Sequence, residues 1–307
     1  MLSFLPNWIK GCLATLLITI NTVVSFPFIF FLSLIKLVVP IKSVQPQLTA
    51  IPIAFASLWV TLNGLFMRLL HNIEWHIEGT ENLKKKDWYF VTCNHQTWAD
   101  IPIVQTLLNG RVPFVKFFLK QELIWVPFLG LAWWALDFPF MKRFSKEYLA
   151  KHPEFKGKDL ETTRKACEKF KFTPITVFNF LEGTRYTSAK HKQQNSPYKY
   201  LLKPKAGGAA FVLGAMGEKM NTMLDVTIYY PNSKPSFWGF ISGDIKKICI
   251  HVNRVDIPHQ YLGQDYMEDA EYRDSFQEWI GQLWKNKDER LSAMAKQCDN
   301  DKQRLKS

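Results

Sequence analysis

The sequence predicts an α/β protein with a mixed, largely parallel central sheet covered by helices, preceded by an N-terminal membrane-embedded helical pair. Three observations lead there. Two long uncharged runs stand at the front of the chain, the apolar run TPITVFNFL (Thr173–Leu181) lies in its middle, and strand-like and helix-like segments alternate after about residue 70. On this reading, residues 1–70 form anchoring helices and residues 71–307 form the α/β unit.

Gly11 to Ile35 contains no charged residue and is longer than the roughly 20 apolar residues that span a bilayer. Ser43 to Met67 is a second such run, with Pro46 and Pro52 near its start and only Lys36 and Lys42 charged between the two. A spanning hairpin and a re-entrant pair both fit. A secretory signal fits poorly, because the first run exceeds its usual ~7–15 apolar residues and no small-residue cleavage site follows. A buried soluble helix pair is the competing reading, supported by the prolines and Asn21. Arg68 and the Lys84–Lys86 cluster favour a cytoplasmic side for the remainder of the chain.

Trp88–Cys93 reads as a short buried strand and Pro102–Leu108 as part of the next helix. Phe114–Phe140 is rich in Phe, Trp and Leu but broken by Glu122, Pro127, Gly130 and Asp137. It reads either as an interfacial element or as core. Glu161–Phe170 is helical in pattern. Thr173–Leu181 is a central strand covered on both faces, being β-branched and aromatic almost throughout. Ala206–Met216 is a helix, and Asp225–Tyr230 and Ile248–Val255 are further strands. Tyr272, Phe276, Trp279 and Leu283 recur at helical spacing and mark an amphipathic helix packed on the core, followed by a solvated charged stretch.

The chain is 47% hydrophobic, which supports a large core, and its 39 Lys+Arg against 27 Asp+Glu give a net charge of +12. That balance points to anionic partners. No nucleic-acid recognition module is present, so a phospholipid surface or a phosphorylated substrate is favoured. Five scattered cysteines without metal-ligand spacing read as free thiols, with no metal and no cofactor expected.

Two constellations carry chemistry. In WYFVTCNHQTWAD, an apolar strand runs into Asn94-His95, and Asp100 comes five residues after the histidine. On one helix these two would lie about 140° apart, so they meet only if the chain bends between them. Thr97 as an N-cap, Asp100 three residues on and Pro102 in the first turn supply that bend. A carboxylate there fixes the imidazole tautomer and stabilises the imidazolium, making His95 a base and Asp100 its orienter. The competing reading is a simple capping box, Thr97 with Asp100. Cys93, at the strand end, reads as core. The second constellation is FLEGTR, which puts Glu182, Gly183, Thr184 and Arg185 at the C-terminal end of the most apolar strand, the edge where open α/β sheets bind ligands. Arg185 offers a planar fork suited to phosphate.

NHQTWAD followed by FLEGTR resembles the glycerolipid acyltransferases, whose hallmarks are NHxxxxD and EGTR. The resemblance covers roughly Trp88 to Pro231. FPFMKR, ending at Arg143, is similar to an acceptor-binding arginine motif, LLKPKAGGAAFVL with Lys205 and Gly207 to the basic stretch after EGTR, and IYYP to the last block. The apolar front resembles that of the bacterial 1-acylglycerol-3-phosphate acyltransferases, which implies a bacterial inner membrane with the site on its cytoplasmic side. The resemblance further implies direct acyl transfer from acyl-CoA or acyl-carrier protein to a lysophospholipid hydroxyl, with 1-acyl-sn-glycerol-3-phosphate as acceptor. His95 and Asp100 would be catalytic. Glu182, Gly183, Thr184, Arg185, Arg143 and Lys205 would hold the acceptor phosphate, and Asn94 would shape either the loop or the oxyanion site. The long polar segment Tyr186–Tyr200 and the Pro204-Lys205-Ala206-Gly207 variant look closer to lysocardiolipin-type enzymes. This leaves a lysophosphatidylglycerol or lysocardiolipin acceptor as an alternative, and a non-catalytic lipid-binding protein as a third reading.

Overall fold

A computed structural model describes residues 4–39, 44–141, 173–231, 234–264 and 269–304, with 151–152, 167 and 266. The element order is α1 (Asn7–Val38), α2 (Gln45–Leu70), β1 (Glu74–Glu78), β2 (Tyr89–Cys93), α3 (Asp100–Leu108), β3 (Val115–Phe117), β4 (Leu119–Lys120), α4 (Leu129–Ala135) and β5 (Phe140–Met141). Then come β6 (Thr176–Asn179), α5 (Ser188–Gln193), α6 (Gly207–Met216), β7 (Thr222–Tyr229), α7 (Phe237–Ser242), β8 (Lys247–Asp256) and α8 (Ala270–Arg304). The main sheet has strand order β1-β8-β7-β2-β6-β3, and all its neighbours are parallel except β7 with β8. The fold class is therefore the expected one.

Both faces of the sheet are covered, and alternation along β2 sorts its side chains between two layers. Tyr89, Val91 and Cys93 pack with Ile103, Val104 and Leu107 of α3 on one face, while Phe90 packs with Val212 and Leu213 of α6 and Phe276 and Trp284 of α8 on the other. Such two-sided burial explains the unbroken apolar strand sequences. β6 is shorter than the Thr173–Leu181 run because the chain turns straight after Asn179, Gly183 donating its N–H to Phe180 O at 2.9 Å. β7 begins earlier than Asp225, at Thr222, since β8 pairs with it as far as Asp256. The helical pattern at 161–170 lies outside the described residues, Cys167 apart.

α1 extends past its uncharged run at both ends and α2 past the end of the second, and the two pack on each other. Their polar residues are matched within the pair: Asn21 Nδ2 donates to Trp59 O (3.0 Å) and Asn63 Oδ1 (2.8 Å), and Trp59 Nε1 donates to Thr22 Oγ1 at 3.1 Å. Each helix leaves an apolar face uncovered, including Leu16, Val24 and Phe31 of α1 and Leu58 and Leu65 of α2. That face argues against the buried soluble pair. With 32 residues, α1 is roughly 48 Å long, and the α/β unit holds both its ends. Asn7 Nδ2 donates to Asp244 Oδ1 (2.5 Å), Gly11 lies so close to Trp238 that a Cβ would sit 2.8 Å from the indole, and Lys36 pairs with Asp137 (2.5 Å). The pair thus lies along the body instead of projecting from it.

Phe114–Phe140 divides between its two sequence readings. Ala132, Ala135 and Phe138 are core, whereas Trp125 is 85% exposed and Phe128, Leu131 and Trp134 are also exposed. Phe128 meets Phe26 of α1 edge-on at 5.4 Å, so this segment packs against the N-terminal helices.

Candidate active site

The β2–α3 turn begins with Asn94, whose fully buried amide continues the ladder beyond the strand end. Its Oδ1 accepts Ile228 N–H (2.8 Å) and its Nδ2 donates to Ile228 O (2.9 Å). Both polar groups are engaged with β7, so of its two expected roles Asn94 takes the loop-shaping one and offers nothing to a substrate. The next residue, His95, lies against Asp100: Nδ1 is 2.9 Å from Oδ2. The same oxygen accepts the N–H groups of Gln96 (2.7 Å) and Thr97 (2.9 Å), and Oδ1 accepts the Tyr230 hydroxyl at 2.6 Å. Asp100 is fully buried, with a donor set that matches a carboxylate's acceptor capacity.

The capping reading and the dyad reading thus coexist. The N–H of Thr97 reaches the Asp100 carboxylate, as in half of a capping box, and the same carboxylate orients His95. The other half is absent. α3 starts at Asp100 itself, and Thr97 Oγ1 accepts from Ala99 N–H at 3.4 Å instead.

The imidazole stacks on Phe180, with ring centres 3.7 Å apart at 14°, and its side chain is 10% exposed. Nε2 has no protein partner among the described residues, so it is free to exchange a proton with a bound hydroxyl. Tyr230 keeps its own proton, because burial and then the neighbouring Asp100 charge push its hydroxyl well above the usual phenol range. Burial likewise pushes the Cys93 thiol well up, as befits a core cysteine with no nucleophilic part.

FLEGTR folds back onto this turn. Glu182 is fully buried, one oxygen accepting His95 N–H (2.8 Å) and the other Leu202 N–H (3.0 Å), while Tyr186 N–H donates to His95 O (2.7 Å). Glu182 therefore does not hold an acceptor phosphate as expected. Its carboxylate points into the protein and fixes the histidine loop, where a phosphate cannot reach it. Gly183 adopts φ +67°, and the Lys205 side chain crosses it so closely that a Cβ there would meet Cδ at 3.2 Å. Thr184 Oγ1 accepts from Lys190 Nζ at 2.7 Å. The exposed Arg185 guanidinium lies 4.9 Å from the centre of the Trp98 ring, three residues beyond His95. Arg185, Lys190 and Lys205 thus gather around one turn beside the dyad, a cationic cradle of the kind that binds phosphate. Arg143 lies outside the described residues.

Sequence reasoning missed Tyr230, Phe180, Trp98 and Lys190. The first three stand inside the motifs IYYP, FLEGTR and NHQTWAD, so their positions carried a signal although their roles did not. Lys190 belongs to the long polar segment Tyr186–Tyr200, outside those motifs.

Burial raises the Glu182 carboxyl from 4.5 to about 7, against the opposing pull of the His95 and Leu202 N–H groups and then Lys287. The folded state therefore binds this proton more tightly than the unfolded chain. Stability is lost as pH rises from the ordinary carboxylate value through about 7, on the order of 3 kcal/mol in full. Comparing unfolding of wild-type protein and Glu182→Gln at pH 5 and pH 8 reads this directly. Wild type is expected to lose stability relative to the variant across the interval, and an unchanged difference contradicts the assignment.

The sequence that defines the Acyltransferase family matches residues 74–230, just over half of the chain and inclusive of the whole β2–α3 turn. The chain is 26% identical over 223 residues to the 1-acyl-sn-glycerol-3-phosphate acyltransferase gamma of Mus musculus, covering 69% of this chain and 54% of that one. It is 23% identical over 208 residues to the epsilon protein of the same organism, covering 60% and 54%. The chain spans about half the length of these curated relatives. Among solved structures, it is similar in fold to the 1-acyl-sn-glycerophosphate acyltransferase of Thermotoga maritima, with a TM-score of 0.53, 20% identity, and coverage of 94% of this chain and 98% of that one. With its buried His95–Asp100 pair inside the matched region, the chain belongs to the glycerolipid acyltransferase family.

Proposed function

We propose that the protein is a membrane-bound acyltransferase that moves an acyl chain from acyl-CoA or acyl-carrier protein to the free hydroxyl of a lysophospholipid, with 1-acyl-sn-glycerol-3-phosphate as acceptor and phosphatidate as product. The observation that carries this reading is His95 Nδ1 held 2.9 Å from Asp100 with Nε2 unpartnered among the described residues, next to the Arg185, Lys190 and Lys205 cradle.

In the proposed reaction, the cradle holds the acceptor phosphate and orients the hydroxyl toward Nε2. His95 removes the hydroxyl proton as the oxygen attacks the thioester carbonyl, and Asp100 stabilises the imidazolium. The C–O bond forms, the C–S bond breaks, and His95 returns the proton to the departing thiolate. Such general-base assistance is typically worth about 10²–10⁴ in rate. No acyl-enzyme is needed, because Cys93, the thiol next to the turn, is buried and protonated.

Membrane attachment is supported by α1 and α2, both long and apolar enough to cross a bilayer. Because the body holds both ends of α1, the arrangement favours the re-entrant reading, with the uncovered apolar face in one leaflet. The basic net charge favours an anionic membrane surface.

The test is an assay of purified, detergent-solubilised protein with acyl-CoA or acyl-carrier protein and a panel of lysophosphatidate, lysophosphatidylglycerol and lysocardiolipin, products being identified by mass spectrometry. Turnover is expected to be highest with lysophosphatidate. Preference for a larger headgroup would assign the enzyme to phospholipid remodelling, and binding without turnover would leave a lipid-binding protein.

A further inference from the structure

Helix α8 begins well beyond the family match, yet its inner face is bonded to the segment that delivers Lys205. Asp288 accepts two consecutive backbone N–H groups, Lys199 on one oxygen (2.8 Å) and Tyr200 on the other (2.7 Å). One turn earlier, Trp284 Nε1–H donates to Leu202 O at 3.1 Å. Leu202 gives its own N–H to Glu182 (3.0 Å), and Lys205 N–H goes to Leu181 O (2.7 Å). Residues 199–205 are therefore fastened by α8 at one end and by the FLEGTR turn at the other.

We propose that Asp288 is a positioning residue for the acceptor phosphate, because its grip on two successive amides sets the path from which Lys205 crosses Gly183. Resting on the acyltransferase reading above, the proposal adds an element that the matched region does not contain. Bonds from N–H groups to an ionised carboxylate are among the stronger local restraints, and two on adjacent residues fix direction as well as position. Without Asp288 those amides turn to water, and the lysine-bearing segment loses its outer anchor. The His95 ring is oriented by Asp100, and Glu182 keeps His95 N–H on the oxygen that does not face Leu202, so the loss falls on binding of the anionic acceptor more than on proton transfer. α8 itself stays seated, since Phe276, Ile280 and Trp284 are fully buried.

The experiment compares wild type, Asp288→Ala and Asp288→Asn as full-length, detergent-solubilised proteins, with lysophosphatidate varied at saturating acyl donor. In Asp288→Ala the KM for lysophosphatidate is expected to rise about tenfold, the scale of one charge-assisted bond, with kcat within about twofold. Asp288→Asn, which keeps one acceptor oxygen, falls between. Hydrogen exchange is expected to quicken over residues 196–205 and to stay unchanged over 89–97. An unchanged KM overturns the proposal, as does a raised KM without faster exchange or a fall in kcat alone. If wild type transfers no acyl group, the functional reading fails separately. Lysophosphatidate affinity by calorimetry then decides the placement, and equal Kd values for wild type and Asp288→Ala overturn it.

Discussion

Replacing His95 by alanine is expected to lower kcat/KM for acyl transfer by about 10³–10⁴-fold with the fold retained. The ring is stacked on Phe180 at the rim of the core and its Nε2 bonds to nothing among the described residues, so its removal leaves no deeply buried partner stranded except Asp100. That carboxylate keeps two backbone N–H groups and the Tyr230 hydroxyl. Asp100→Asn separates orientation from charge. An amide oxygen on the His95 side still accepts the Nδ1–H and both backbone bonds, while the amide NH₂ faces Tyr230, whose hydroxyl turns to accept it. Geometry and tautomer survive but the counter-charge for the imidazolium is lost, so roughly 10²–10³-fold is expected. Because the two residues act as a unit, the double variant should be no slower than His95→Ala alone. Phosphatidate formation, with circular dichroism as the folding control, reads all three. A His95→Ala protein retaining a tenth of wild-type turnover would remove the general base from the mechanism.

The strands legible in the sequence were those buried on both faces. Tyr89–Cys93 and the core of TPITVFNFL are continuous apolar runs because helices cover each side of the sheet. β1 escaped for the opposite reason. Glu74, His76 and Glu78 alternate along a five-residue exposed edge strand whose neighbour in the sheet is β8, so no apolar run marks it, and its charges protect the edge from further pairing. The charged stretch after Leu283 is solvated at Lys285, Glu289 and Lys296 and departs from expectation at Lys287. Local composition there is polar, but Lys287 turns inward to meet the distant carboxylate of Asp225, and no local pattern encodes such a pairing.

The chemistry was more legible than the support around it. His95 and Asp100 are close in sequence, so turn geometry alone brings them together. The family resemblance gave Glu182 to the acceptor phosphate and left Asn94 between the loop and the oxyanion site. Their actual partners, Leu202 and Ile228, are backbone groups from distant segments that only the folded sheet brings near. Tyr230 is the same case from the other direction: it reaches Asp100 across 130 positions, since β7 lies beside β2.

Lys287→Met is expected to destabilise the protein by about 3–5 kcal/mol, the usual cost of breaking a buried ion pair from one side. Lys287 is fully buried, its Nζ 2.6 Å from Asp225 Oδ1 and 2.5 Å from Val226 O, and it lies 5.0 Å from the Trp284 ring centre. Asp225 is 1% exposed and keeps only Arg290, at 3.1 Å on its other oxygen, as a charged partner among the described residues. Methionine fills the alkyl volume but leaves Oδ1 of that carboxylate without its ammonium. The loss also reaches the active site, because the Lys287 charge is one of the influences that favour the ionised form of Glu182. Without it, the Glu182 carboxyl rises further, and protonation replaces one of the acceptors that hold His95 and Leu202. Asp225→Asn combined with Lys287→Met removes both buried charges and is expected to regain most of the stability. Thermal midpoints of the purified single and double variants measure the coupling. A single variant within about 1 kcal/mol of wild type, or a double variant less stable than the single, would show that the pair does not fasten α8 to β7 and that the helix is seated by its apolar face alone.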